Sequence, residues 1–152
     1  MRIASSLALA AALSALAGCG PSEPASPIAI ENAEVRLPAV SGRPGAGYFA
    51  ITARGAKDTL TGVTAQGAER VELHESMNEG GVMRMEAIAE VPLTPGVRVA
   101  FEPGGKHLML FGVDPALKAG GTIPLTFSFA GAQPVTVQAK LVAPGGGGHS
   151  GH

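Results

Sequence analysis

The sequence holds a single cysteine, Cys19, one tyrosine and no tryptophan. One cysteine excludes an internal disulfide framework and any zinc site built from cysteines. Charged residues are also scarce, 15% of 152 positions against about 25% in ordinary soluble domains. The formal net charge of −1 leaves no electrostatic footprint for nucleic acid. What is abundant is turn-forming residues, with 22 Gly and 12 Pro. That mixture argues against a helical bundle and suits a β protein with many turns, and the length suits one domain.

The chain opens Met1-Arg2-Ile3 and then runs small and apolar from Ala4 to Gly18. The run is shorter than the ~20 residues a membrane-spanning helix needs and fits the apolar stretch of an export signal. It ends Leu16-Ala17-Gly18-Cys19, which resembles a bacterial lipobox, with Cys19 as the lipidated mature N-terminus. Residues 1–18 are therefore expected to be a lipoprotein signal peptide. The mature chain is expected to sit in the periplasm on a lipid anchor. Gly20, in place of the Asp that retains lipoproteins at the inner membrane, favours the outer membrane. Loss of Arg2 leaves ten basic and twelve acidic side chains, a formal charge of −2. Such a compartment is oxidising, and the rest of the mature chain carries no thiol.

Residues 19–27 form the lipidated Cys and a Pro/Ser-rich tether, and residues 145–152 a Gly-rich tail with His149 and His152. The domain between them, residues 28–144, reads as nearly all strand. Strands are expected at Ile28–Leu37, Gly47–Thr52, Leu60–Thr64, Arg70–Ser76, Val82–Glu90, Val97–Glu102, His107–Val113, Thr122–Phe129 and Val135–Val142. Pro115–Gly120 is expected to make a helical turn. Breakers such as Thr94-Pro95-Gly96 and Pro103-Gly104-Gly105 recur about every ten residues, as in an antiparallel sandwich.

Three segments hold every His and Met of this domain: Glu72-Leu73-His74-Glu75-Ser76-Met77, Val82-Met83-Arg84-Met85 and Lys106-His107-Leu108-Met109-Leu110. Side chains two apart on a strand share a face, so His107 projects with Met109 and Met83 with Met85. If the three segments end near one rim, two imidazoles and two or more thioethers converge. Thioether sulfur is a poor ligand for zinc, magnesium or calcium and a good one for Cu(I). Met also survives where thiolates oxidise, though sulfoxide formation would remove the donor. Against this stands the ordinary use of Met as core filler, which would make the protein a purely structural lipoprotein.

The spacing from His74 through Met85 and His107 to Met109 resembles the H-x10-M-x21-H-x-M signature of the periplasmic copper chaperones called PCu(A)C. Gly47-Tyr48-Phe49-Ala50-Ile51-Thr52, Val71-Glu72-Leu73-His74 and Pro103-Gly104-Gly105-Lys106-His107 are similar to the family as well. The resemblance implies an all-β, cupredoxin-like antiparallel sandwich or barrel, with Cu(I) held by His74, Met85, His107 and Met109. It implies delivery to the CuA centre of cytochrome c oxidase subunit II, beside a thioredoxin-like Sco protein. Met83, Met77, His149 and His152 are further candidate ligands, the last two for a second copper, Cu(II), on the tail. Departures from the family pattern are Val35-Arg36-Leu37, Ala53-Arg54 and Lys106, where Lys106 is expected to alter partner docking or disfavour a second positive charge beside the metal. Glu72, Glu75 and Glu79 are expected to offset the positive charge of a site built from neutral donors.

The mechanism implied is ligand exchange, not catalysis. A copper oxygenase built on an N-terminal His is excluded by a mature terminus at Cys19, and a blue-copper carrier needs a thiolate that the domain lacks. A copper-buffering or resistance lipoprotein without a dedicated client needs the same site and stays open as the second reading.

Overall fold

The computed structural model describes residues 26–145. The residues expected to form the export signal, Cys19 and the tail histidines His149 and His152 lie outside the described residues. Among those described there is no helix. Ten strands run in chain order: β1 (Ile28–Arg36), β2 (Gly45–Ala53), β3 (Asp58–Ala65), β4 (Arg70–Glu79), β5 (Val82–Ala87), β6 (Val91–Leu93), β7 (Arg98–Phe101), β8 (Lys106–Phe111), β9 (Thr122–Phe129) and β10 (Val135–Val142). They hydrogen-bond in the order β5-β4-β8-β7-β2-β1-β10-β9-β3-β6, with β8 also pairing β2.

The sheet folds over its own inner face. Phe49 of β2 stacks on Phe101 of β7 at 4.2 Å between ring centroids and meets the edge of Phe127 of β9 at 4.8 Å. Since β2 and β9 stand three places apart in the sheet, that contact spans the core. The period-two pattern supplies the filling: Leu108 and Leu110 of β8, Ile123, Leu125 and Phe127 of β9, and Ala139 and Leu141 of β10 are all buried. Burying these apolar faces is the main driving force for the fold.

Strand β2 is covered end to end by two partners. Its Phe49–Thr52 half pairs with β7 and its Gly45–Gly47 half with β8. The turn at Pro103-Gly104-Gly105 separates β7 from β8, and Gly104 there has φ of 85°, a left-handed conformation that glycine adopts freely. The same turn carries the chain straight into the His107 strand.

Three expectations are corrected. The strand expected at Val82–Glu90 stops at Ala87, where its pairing with β4 runs out opposite His74. Ile88 then turns toward the core, its N–H donating to the Leu73 carbonyl at 2.8 Å. Strand β6 was not expected, because Pro92 interrupts a short apolar run. Proline is tolerated on an edge strand, and β6 is one, with Val91 and Leu93 buried and Pro92 exposed. Pro115–Gly120 forms two turns instead of a helical one, the first pinned by Asp114, whose Oδ1 accepts the Ala116 N–H at 2.8 Å.

At the far side of the sheet Asp58 ties the start of β3 to the β9–β10 turn. Its Oδ1 accepts N–H bonds from Thr59 at 2.7 Å and Gly131 at 2.9 Å, and its Oδ2 one from Ala132 at 2.8 Å. The Thr59 bond first, then those from Gly131 and Ala132, hold the carboxyl below its usual value of 3.8. A depressed folded pKa adds stability above the ordinary value, and the addition is lost as pH falls through the folded one. Asp58→Asn should therefore unfold at lower temperature than the parent at neutral pH. The gap should close as pH drops below 3.8. Thermal unfolding followed by circular dichroism across that range checks it, and a gap that does not change with pH contradicts it.

Candidate metal centre

Strand register brings the candidate ligands together. Strand β4 is flanked by β8 on one side and β5 on the other. Across β4 and β8, His74 stands directly opposite His107, and Glu72 opposite Met109. Across β4 and β5, Ser76 stands opposite Met85 and Asn78 opposite Met83. Directly opposed residues share a face, so His74, His107, Met109, Met85 and Met83 all lie on the outer face. Leu73 and Leu108, one residue along, are opposed on the core face and buried.

The two imidazole centroids lie 5.9 Å apart with a 35° tilt between rings. One ion can bridge that gap, since a ring nitrogen sits about 2 Å from a bound first-row metal. Met85, His107 and Met109 line a shallow cavity on this face together with Ser76, Tyr48 and Ala46.

Hydrogen bonds fix which nitrogen of each ring is free. His107 Nδ1 lies 3.0 Å from the Gly105 carbonyl oxygen, which can only accept, so Nδ1 carries the proton and Nε2 keeps its lone pair. The same carbonyl accepts the Ser76 N–H at 3.1 Å, which holds it in place. His74 is set the opposite way. Its Nε2 donates to Glu72 Oε2 at 2.9 Å, which leaves Nδ1 as the acceptor. His74 Nδ1 is buried and has no hydrogen-bond partner. A buried acceptor without a partner is costly, and a metal ion is one partner that would satisfy it.

Glu72 is itself anchored. Arg70 Nε donates to its other oxygen at 2.7 Å, and the Arg70 guanidinium lies 4.3 Å over the Phe111 ring. The bond from His74, and next the bond and charge of Arg70, lower the Glu72 carboxyl from its usual range. A carboxylate behind an imidazole in this way fixes the tautomer and raises ligand basicity.

Other expected residues fall elsewhere. Met77 stands opposite Arg84, on the other face from the cluster, and is not part of it. Lys106 faces away from the histidines. It stands opposite Glu75 on the core-side face, and its Nζ donates to Glu75 Oε1 at 2.6 Å. Glu79 pairs loosely with Arg84 at 3.7 Å in solvent. Of the three glutamates, Glu72 is the one that touches a histidine. Arg70, the Gly105 carbonyl and Tyr48 were not foreseen as parts of the site. The alternation Arg70-x-Glu72-x-His74 was the signal, since positions two apart on a strand share a face.

Fold and site together define a cupredoxin-like domain of the PCuAC class. The structure superposes on the copper-bound PCuAC domain from PmoF2 with a TM-score of 0.65 at 25% identity, covering 78% of this chain and 94% of that one. It also matches the fold of the solution structure of CuI-DR1885 from Deinococcus radiodurans, with a TM-score of 0.61 at 23% identity over 74% of this chain and 76% of that one. Residues 28–141 match the family described as "Putative lipoprotein LpqE-like", and the chain belongs to that family. A curated relative from Leifsonia xyli subsp. xyli, "Putative lipoprotein Lxx21020", is 34% identical over 84 residues, 53% of this chain and 51% of that protein. The chain spans about half the length of the curated relatives it matches.

Removing the carboxylate behind His74 should weaken metal binding without disturbing the sheet. Glu72→Ala is expected to lower Cu(I) affinity about 10- to 100-fold, the usual cost of losing such a partner. Competition against a chromophoric Cu(I) chelator measures it, and an affinity within twofold of the parent would contradict the role assigned to Glu72.

Proposed function

We propose that the protein is a copper chaperone of the cell envelope, carrying Cu(I) as cargo on His74, His107, Met85 and Met109. The observation that carries this reading is the pair of opposed imidazoles, set in opposite tautomers with one lone pair buried and unpartnered, on the same face as two thioethers. That donor set is soft and neutral, which favours Cu(I) over harder divalent ions. The copper-bound state of the PmoF2 domain, at the same fold, supports the reading.

Transfer is ligand exchange. His74 and His107 hold the ion at the floor of the site, and the more exposed thioethers are the first ligands an acceptor displaces. The client proposed is the CuA domain of cytochrome c oxidase subunit II, with an Sco-type thioredoxin-like protein as co-worker. Glu72 supplies negative charge next to His74, which offsets the single positive charge of a site with neutral ligands. Membership of a lipoprotein family supports anchoring through Cys19 on the periplasmic side. The outer membrane is the anchor site proposed. Palmitate label should be absent from Cys19→Ser, and retained label would overturn the anchor.

The test of function is Cu(I) titration of residues 20–152, with and without residues 145–152, followed by mixing with an apo CuA domain. One tightly bound Cu(I) per chain is expected, independent of the tail. His107→Ala and Met109→Leu should lose that tight site while keeping the parent circular dichroism spectrum. CuA absorbance should then develop on mixing the loaded parent with an apo CuA domain whose cysteines are already reduced, given one Cu(II) for each Cu(I) delivered. No tight binding by the parent would overturn the copper reading. Tight binding without transfer would favour a copper-buffering role.

A further inference from the structure

Strand β5 contributes no side chain to the core: all six residues from Val82 to Ala87 are exposed. It is an edge strand, and it nevertheless carries two of the molecule's large exposed apolar side chains as methionines, Met83 at 59% and Met85 at 55% exposure. Packing explains neither. Met in a core fills irregular gaps, and no core lies beneath these positions.

Exposure rises along the outer face from the site outward. His107 is 7% exposed, the His74 side chain 13%, Met109 is half-buried, Met85 is 55% exposed and Met83 59%. Met85 lines the cavity with His107 and Met109, whereas Met83 lies two residues further along β5 on the same face. Two strand residues cover about 7 Å, within the reach of two flexible thioether side chains leaning toward one another.

Resting on the copper reading above, we propose that Met83 is a relay ligand, which receives Cu(I) from the inner set and presents it to the acceptor. A Cu–S bond to Met83 forms as the bond from Met109 breaks. The ion stays Cu(I), one neutral donor replaces another, and no proton or electron moves. Met85 stays bound through the step and acts as the pivot. The acceptor then meets a copper ion on the exposed edge strand and not one at the floor of a cavity.

Met83→Leu tests this, because it removes the sulfur while nearly conserving volume and apolar character. The loaded full mature chain is mixed in stopped flow with bathocuproine disulfonate, and Cu(I) affinity is measured separately. Transfer should slow at least about tenfold, equivalent to about 1.4 kcal/mol on the barrier, with affinity within about threefold of the parent. Val82→Thr, on the same strand but the other face, should transfer at the parent rate. Parent-like transfer by Met83→Leu would overturn the relay while leaving the copper function standing. A loss of affinity as large as that of Met85→Leu would also overturn it, by making Met83 a resident ligand. Failure of the parent to bind Cu(I) would remove the copper reading itself.

Discussion

The pairing of β4 with β8 is the constraint on which the site depends. Its register sets His74 against His107 on the outer face and Leu73 against Leu108 on the core face. Both leucines are buried, so a slip of one residue would send apolar side chains into water and the imidazoles into the core. Core packing therefore determines the position of the histidines. The turn at Pro103-Gly104-Gly105 reinforces the register, because the Gly105 carbonyl holds both the Ser76 N–H and His107 Nδ1. One carbonyl thus links strand pairing to ring orientation.

The site is graded from rigid to labile. The histidines are held from behind, His107 by backbone and His74 by a carboxylate braced on Arg70 and Phe111. The thioethers on β5 have no such support and stand in solvent. For a carrier of Cu(I), that division is physically sensible. In the proposed carrier the fixed nitrogen donors would retain the ion, and the exposed sulfur donors would let it leave. Neutral imidazole and thioether ligands also need no proton when they let go, so partner ligands can replace them one at a time. The absence of any thiol beyond Cys19 suits an oxidising compartment, where thioethers last longer than thiolates.

Much of this was legible in the sequence because strands obey a period of two. His107-x-Met109 and Met83-x-Met85 each had to share a face, and Leu108 and Leu110 had to oppose them. The fixed spacing across His74, Met85, His107 and Met109 carried the fold class as well. Pairing between strands was not legible, because register depends on contacts distant in sequence. That is why the His74–His107 opposition emerged only from the structure, whereas Met77 stayed open because the strand expected to end at Ser76 runs on to Glu79 and its period of two turns Met77 away from His74. The Lys106–Glu75 ion pair was hidden for the same reason, since the two residues are 31 positions apart in sequence. The end of β5 and the short β6 were missed because local composition does not show where a partner strand stops, and because Pro92 masks an edge strand.

The coordination shell of the bound ion tests the central claim most directly. X-ray absorption at the copper edge on the Cu(I)-loaded mature chain reads donor type and number at once. Two nitrogen and two sulfur scatterers are expected, with one sulfur lost from the weakly bound copper of Met109→Leu loaded at the high protein concentration of the measurement. A shell of nitrogen and oxygen alone, or one unchanged by that substitution, would contradict a site built from His74, Met85, His107 and Met109.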